Sequence, residues 1–246
     1  MSQLSDYIFE NLKSEYEKIR TLKSTDKSKI ELYSENGSDN KLVVICSKIR
    51  NDHVYRALRG KVHPNIATVY DVSSEEEYVL VLEEYIDGVM LSDKLKNGHL
   101  EKKEAVSYML DLCSALSFLH SLNIIHRDIK PSNIIINKSD VAVLIDYSSA
   151  RELSYTNDSD TVNLGTPGYA APEQYGIHQS LPATDIYALG VLFNEMLLGI
   201  NPIIKTPKGP LGKIIKKCTN SQIGERYQKI SSLKRDLNRY RLFHFI

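Results

Sequence analysis

Asn123-Ile124-Ile125-His126-Arg127-Asp128-Ile129-Lys130-Pro131-Ser132-Asn133-Ile134-Ile135-Ile136 opens on an apolar pair, passes through polar, charged and proline residues, and closes on an apolar run. The pattern reads as strand, tight loop, strand, with the chemistry in the loop. Asp128, Lys130 and Asn133 are spaced for phosphoryl transfer. A carboxylate can accept a hydroxyl proton, an ammonium two residues on can meet a moving phosphate, and an amide can hold a metal. A charged, solvated loop is the plainer alternative. The long ordered string from His126 to Asn133 favours the functional reading.

This string resembles the catalytic loop of eukaryotic-type protein kinases, in the form with Lys two residues after Asp that marks the Ser/Thr branch. A second match lies downstream, in Gly165-Thr166-Pro167-Gly168-Tyr169-Ala170-Ala171-Pro172-Glu173-Gln174. The resemblance implies that Thr166 bonds the catalytic Asp and Lys, and that Glu173 pairs with a distant Arg, for which Arg226 fits. It also implies that Asp185 supports the backbone of the catalytic loop. Between the two strings, Val141 to Ile145 reads as a buried strand delivering Asp146. Asp146-Tyr147-Ser148 stands where the family has Asp-Phe-Gly, so Asp146 would hold Mg²⁺ with Asn133.

Working outward, Glu104 to His120 carries apolar residues at helical spacing and leads into the catalytic loop. An apolar helix is expected from Thr184 or Asp185 as its cap to Gly199, and closing helices over 210–218 and 229–241. Between Ser149 and Asn163 the chain is polar. This stretch resembles an activation loop, in which a phosphate on Thr156, Ser159 or Thr161 could pair with Arg127.

Toward the N-terminus, Tyr16–Leu22, Lys29–Tyr33, Lys41–Cys46, Thr68–Val72 and Tyr78–Leu82 read as strands of an antiparallel small lobe, with Glu75-Glu76-Glu77 as a charged turn. Glu83-Glu84-Tyr85-Ile86 resembles the hinge whose main chain, around Glu84 and Ile86, binds an adenine edge. Here the chain departs from the family. The loop Lys23–Ser28 has no glycine, so close backbone approach to a phosphate is harder. Val43-Val44-Ile45-Cys46 puts Cys46 where an anchoring Lys is expected, and the short helix expected within Asp52–Leu58 has no Glu. Cys at that position, with lysines near the former glycine loop, resembles the with-no-lysine kinases. Lys48, then Lys29, then Lys27 are the candidate replacements. The residue aligned by count with the relocated lysine is Ser28. A nucleotide is thus expected against Ile30, Val44, Lys48, Lys29, Glu84, Ile86, Ile135 and Asp146.

The 246 residues hold 31 Lys and Arg against 31 Asp and Glu. Zero net charge argues against a nucleic-acid surface as the main business. Three scattered cysteines fit neither a disulfide framework nor a zinc site, and point to a reducing cytosol. No apolar run is long enough to span a bilayer, and no signal peptide is evident, so neither membrane nor secretion is expected. Leu4, Ile8 and Leu12, with Tyr7, suggest a helical extension over 1–15. The expected architecture is α+β and two-lobed, with a five-stranded small lobe over 16–87 and a mainly helical large lobe over 88–246. The expected activity is Mg²⁺-dependent transfer of the ATP γ-phosphate to Ser or Thr of a protein. A pseudokinase scaffold is the alternative, on account of the missing glycines, Lys and helix Glu. A small-molecule kinase of the same fold is a weaker third.

Overall fold

The structure is a computed structural model that describes residues 12, 14–49, 51–74, 77–153, 165–176 and 179–245. Most of the expected N-terminal helix, Glu75, Glu76 and the loop hydroxyls of Tyr155, Thr156, Ser159 and Thr161 lie outside the described residues. The chain has an α+β fold in two compact units, 1–86 and 87–246.

The first unit is an antiparallel sheet of β1 (Tyr16–Ser24), β2 (Ser28–Glu35), β3 (Lys41–Ser47), β4 (Val69–Ser74) and β5 (Val79–Glu84), in the order β1-β2-β3-β5-β4. The turn from β1 to β2 is built on Thr25. Its hydroxyl accepts from the amides of Lys27 and Ser28, at 3.3 and 3.0 Å, and lies 3.2 Å from the Ser28 carbonyl. A side-chain oxygen thus closes a turn that contains no glycine.

Directly paired residues of antiparallel strands project to the same face, so the register sorts the sheet into two sides. Ser28 pairs Ser47, Ser47 pairs Val79, and Val79 pairs Ser74. The Ser74 hydroxyl bonds Asp52 and Arg56 of helix α1 (Asp52–Leu58) at 2.9 Å each. These four residues therefore mark the face that carries α1, joined by Ile30, Ile45, Val81 and Glu83. The opposite face carries Lys29, Glu31, Val44, Cys46, Leu82 and Glu84. There Leu42, Val44 and Leu80 pack with Leu12, against Tyr16, Tyr33 and Tyr78.

The second unit begins with β6 (Gly88–Met90), α2 (Leu91–Leu95) and the long helix α3 (Lys102–Ser121). Helix α3 buries Val106, Met109, Cys113, Leu116 and Leu119, as its apolar spacing requires. Short strands follow: β7 (Ile124–Ile125), β8 (Ile134–Asn137), β9 (Ala142–Leu144) and β10 (Arg151–Glu152). They form a three-stranded sheet β6-β8-β9 and a two-stranded pairing of β7 with β10.

Helix α4 (Pro182–Leu198) is buried on nearly every side and ends on Gly199 at φ 67°, the left-handed turn that glycine tolerates. It starts two residues before Thr184, correcting the expected cap. Pro182 supplies the first turn, and the Thr184 hydroxyl reaches back to accept from the Leu181 amide at 3.0 Å. Helices α5 (Pro210–Cys218) and α6 (Ile230–His244) complete the unit. A Cβ on Gly190 would stand 2.4 Å from that of Cys218, which is why α5 can lie so close on α4. No helix among the described residues is long and apolar enough to cross a membrane.

Candidate active site

The apolar β7 brings the chain out of the core, and the loop that follows is held in a conformation it would not adopt alone. Arg127 sits at φ 71° and Asp146 at φ 66°, a region costly for residues with a Cβ. The anchor is Asp185 on α4, fully buried. One carboxylate oxygen accepts from the Arg127 amide at 2.8 Å, and the other from the His126 amide at 3.0 Å and His120 Nε2 at 2.9 Å. Burial pushes this carboxyl upward, but the bond from His120 and the bond from the Arg127 amide outweigh it and hold it below the usual range. Gln174 clamps the loop from the far side, donating to the Arg127 carbonyl at 2.9 Å while accepting from the Ala171 amide at 2.9 Å.

On this platform four side chains meet. Asp128 Oδ1 accepts from the Thr166 hydroxyl at 2.7 Å, and Oδ2 from Lys130 Nζ at 2.7 Å and Asn133 Nδ2 at 3.1 Å. Lys130 Nζ also lies 2.7 Å from the Thr166 hydroxyl. Burial raises the Asp128 pKa, but the bonds from Lys130 and Thr166 outweigh it and leave a depressed, ionised carboxylate. His126 is held neutral by burial and packs edge-on against the buried Tyr147 ring.

The amide nitrogen of Asn133 is committed to the carboxylate and to the main-chain carbonyl of Asp128 (2.9 Å), leaving its Oδ1 for a cation. The Ile145 amide donates to the Asn133 carbonyl at 3.0 Å, which sets Asp146 one residue along from Asn133's strand. An amide oxygen and a carboxylate are the hard donors that Mg²⁺ takes alongside water and phosphate, so the donor set fits. Ile135 lies half-buried on β8, paired with Met90 and Val143.

Further from the centre, Glu173 grips Arg226 in a bidentate pair at 2.8 and 2.9 Å and accepts from the Thr184 hydroxyl at 2.9 Å.

The first unit corrects several expectations. The resemblance read from the sequence implies an anchoring lysine that pairs with this helix, hence one on the face that carries α1. Cys46 points to the other face, and the α1 face at this point presents Ser47, with Ser28 across from it. Ile30 and Val44 likewise fall on opposite faces, and Ile45 is the partner of Ile30. Lys29 lies on the face opposite α1, where it and Lys18 both pair with Glu31, Lys29 at 2.9 Å. Lys48 lies past the end of β3, whose ladder stops at Ser47. It is exposed, and its amide donates to the Lys27 carbonyl at 2.8 Å. The Glu84 amide donates to the Thr68 carbonyl at 2.9 Å, and its carboxylate accepts from the Thr68 amide at 3.0 Å. Ile86 is half-buried at the end of the unit.

His120 and Gln174 were not singled out by the sequence reading. Each adjoins a residue that was, one at the end of the helix before the loop and one directly after Glu173.

These features define a protein kinase domain: the profile of that family matches residues 9–239, and the chain belongs to it. Among curated relatives, it is 37% identical over 142 residues to the serine/threonine-protein kinase PrkC of Bacillus subtilis, covering 57% of this chain and 22% of that protein. It is 37% identical over 152 residues to the serine/threonine-protein kinase PknB of Mycolicibacterium smegmatis, covering 58% and 24%. The PknB of Mycobacterium tuberculosis aligns at 35% over 150 residues, covering 57% and 24%. The aligned segment thus spans about a quarter of each of these relatives.

Proposed function

We propose that this domain transfers the γ-phosphate of ATP to a Ser or Thr hydroxyl of a protein. The assembled group of Asp128, Lys130, Asn133 and Thr166 carries the reading. Asp128, kept ionised, orients the acceptor hydroxyl and takes its proton as the oxygen bonds to phosphorus and the bond to ADP breaks. Lys130 offsets the charge on the transferring group, and Thr166 holds Asp128 and Lys130 in register. Asn133 and Asp146 would hold Mg²⁺, which supplies charge neutralisation to the phosphates. In this reading the domain works in the cytoplasm on a protein substrate, and neither nucleic acid nor a membrane enters it.

A second reading, a binding scaffold with little turnover, is favoured by one observation. The sheet face carrying α1 offers Ser28 and Ser47 where a phosphate-anchoring cation is expected. The candidate cations are Lys27 and Lys48, which lie together at the end of the sheet beside Ser28 and Ser47. The test is nucleotide binding and peptide phosphorylation, each with and without Mg²⁺, on wild type and on Asp128→Asn, Asp146→Asn and Lys27→Met/Lys48→Met. The kinase reading expects transfer to fall at least 100-fold in the two Asp variants, and ATP affinity to fall in the double Lys variant. Binding of ATP with no transfer by wild type would establish the scaffold instead.

A further inference from the structure

Charge is unevenly distributed along this neutral chain. Residues 201–246 hold eleven Lys and Arg against two Asp and Glu, a net charge of +9, which leaves −9 on the preceding 200 residues. Such asymmetry points to an anionic partner. Lys205, Lys208, Lys213, Lys216 and Lys217 are all exposed, and none meets a carboxylate among the described residues. Lys217 lies over the Tyr227 ring at 4.3 Å.

Within this region a groove of ≈ 420 Å³ opens between the stretch after α4 and the end of α5, with Ile203, Ile204, Lys205 and Lys216 on its walls. Ile203 and Ile204 are 85% and 75% exposed, two adjacent aliphatic side chains turned to solvent together. They are not displayed by a loose loop. Asn194, buried on α4, donates to the carbonyls of Ile200 and Lys205 at 2.7 and 2.9 Å, and Asn201 Oδ1 accepts from the Ile203 amide at 3.0 Å. Asn201 Nδ2 in turn donates to the Gly168 carbonyl at 3.0 Å. Gly168 lies in the turn that Thr166 opens, with Tyr169 and Ala170 donating to the Thr166 carbonyl at 3.0 Å each. The groove is therefore tied by one side chain to the segment whose Thr166 holds Asp128.

We infer that this groove docks an acidic protein segment carrying an aliphatic side chain, belonging to the protein that is phosphorylated. The substrate part of the inference rests on the kinase reading above. The two isoleucines would cover the aliphatic residue, and Lys205 and Lys216 would meet carboxylates on either side of it. A concave wall joined to the Thr166 segment suits a chain passing toward the acceptor position better than it suits a flat bilayer. Aliphatic tips offer a nucleic-acid base nothing to stack on, and Tyr187, the aromatic residue of the lining, already carries the Arg226 guanidinium over its ring at 4.8 Å.

The experiment uses a fluorescent Thr peptide with a Glu-Leu-Glu segment, and its counterparts with Gln or Lys in place of Glu. Anisotropy measures binding without need of catalysis, and a phosphorylation assay gives KM and kcat. Expected is roughly tenfold tighter binding of the Glu peptide than the Gln peptide, from several exposed ion pairs acting together, weakening as salt rises. Lys205→Glu/Lys216→Glu and Ile203→Ser/Ile204→Ser should each remove that advantage, raising KM for the Glu peptide without lowering kcat for the Gln peptide. Equal binding of the three peptides overturns the inference. So does retention of phosphatidylserine vesicles or poly-uridine, lost in the Lys variant, while the Glu peptide fails to bind. If the Glu peptide binds through these residues but no peptide is phosphorylated, docking stands and the kinase reading falls.

Discussion

Truncating Glu173 to Ala removes the acidic half of a deeply enclosed ion pair in the second unit. Arg226 is 2% exposed, so the guanidinium left behind cannot reach bulk water. Breaking a buried pair on one side costs about 3–5 kcal/mol. Arg226 keeps acceptors in the carbonyls of Asn220 (2.7 Å), Ala183 (3.2 Å) and Ser221 (3.3 Å), and it stays over the Tyr187 ring. Those contacts place the expected loss near the lower bound, about 3 kcal/mol. For a chain of this size each kcal/mol moves Tm by about 2–4 °C, so the fall should be roughly 6–12 °C. The assay is thermal unfolding followed by circular dichroism. Replacing both residues, as Glu173→Leu/Arg226→Leu, should cost much less than Glu173→Ala, because no charge is then stranded. The pair also makes stability depend on pH. Burial raises the Glu173 pKa, but the bonds from Arg226 and from backbone outweigh it, so the folded value is depressed. Its contribution is then present above the ordinary carboxylate pKa and fades as pH falls through the lower folded value. A Tm for Glu173→Ala within 2 °C of wild type at neutral pH, or a double variant as weak as the single, would refute the reasoning.

Asp185→Asn should lower kcat by roughly 10- to 100-fold with little change in the KM for peptide, since Asp185 acts by holding the His126 and Arg127 amides rather than by touching substrate; steady-state kinetics decide, and a pure KM effect would contradict the role. The depressed Asp128 pKa predicts that the acid limb of the kcat profile lies below the ordinary Asp value of about 4. Lys130→Met should move that limb upward, and a limb that stays put would mean Lys130 does not stabilise the ionised Asp128.

The catalytic loop, its two downstream strings and α3 were legible because their information is local: a fixed order of side chains, or an apolar period of one helix. The Glu173–Arg226 pair was legible for the same reason, each end lying in a recognisable string. What was not legible was the face assignment in the first unit. A single residue of register moves every side chain across a sheet, and strand three offers five consecutive residues, Leu42 to Cys46, that all read as interior. Only pairing through Val79 and Ser74 to α1 shows that Ser47, not Cys46, faces the helix. The cap of α4 was misplaced by at least three residues, from Leu181 to Thr184 or Asp185, because Thr184, a good cap by type, acts backward on Leu181 from inside the first turn.

The Thr25 turn bears on how a nucleotide would meet the first unit. A glycine-rich loop is a flap: it samples many shapes when empty and gives up that freedom when it settles over phosphates. Here a hydroxyl already fastens the amides of Lys27 and Ser28, so much of that freedom is surrendered at folding. The turn is a hook set in advance. Whatever affinity it has for a phosphate would then carry less closing entropy than a glycine loop's, and it would mould itself less readily to different nucleotides.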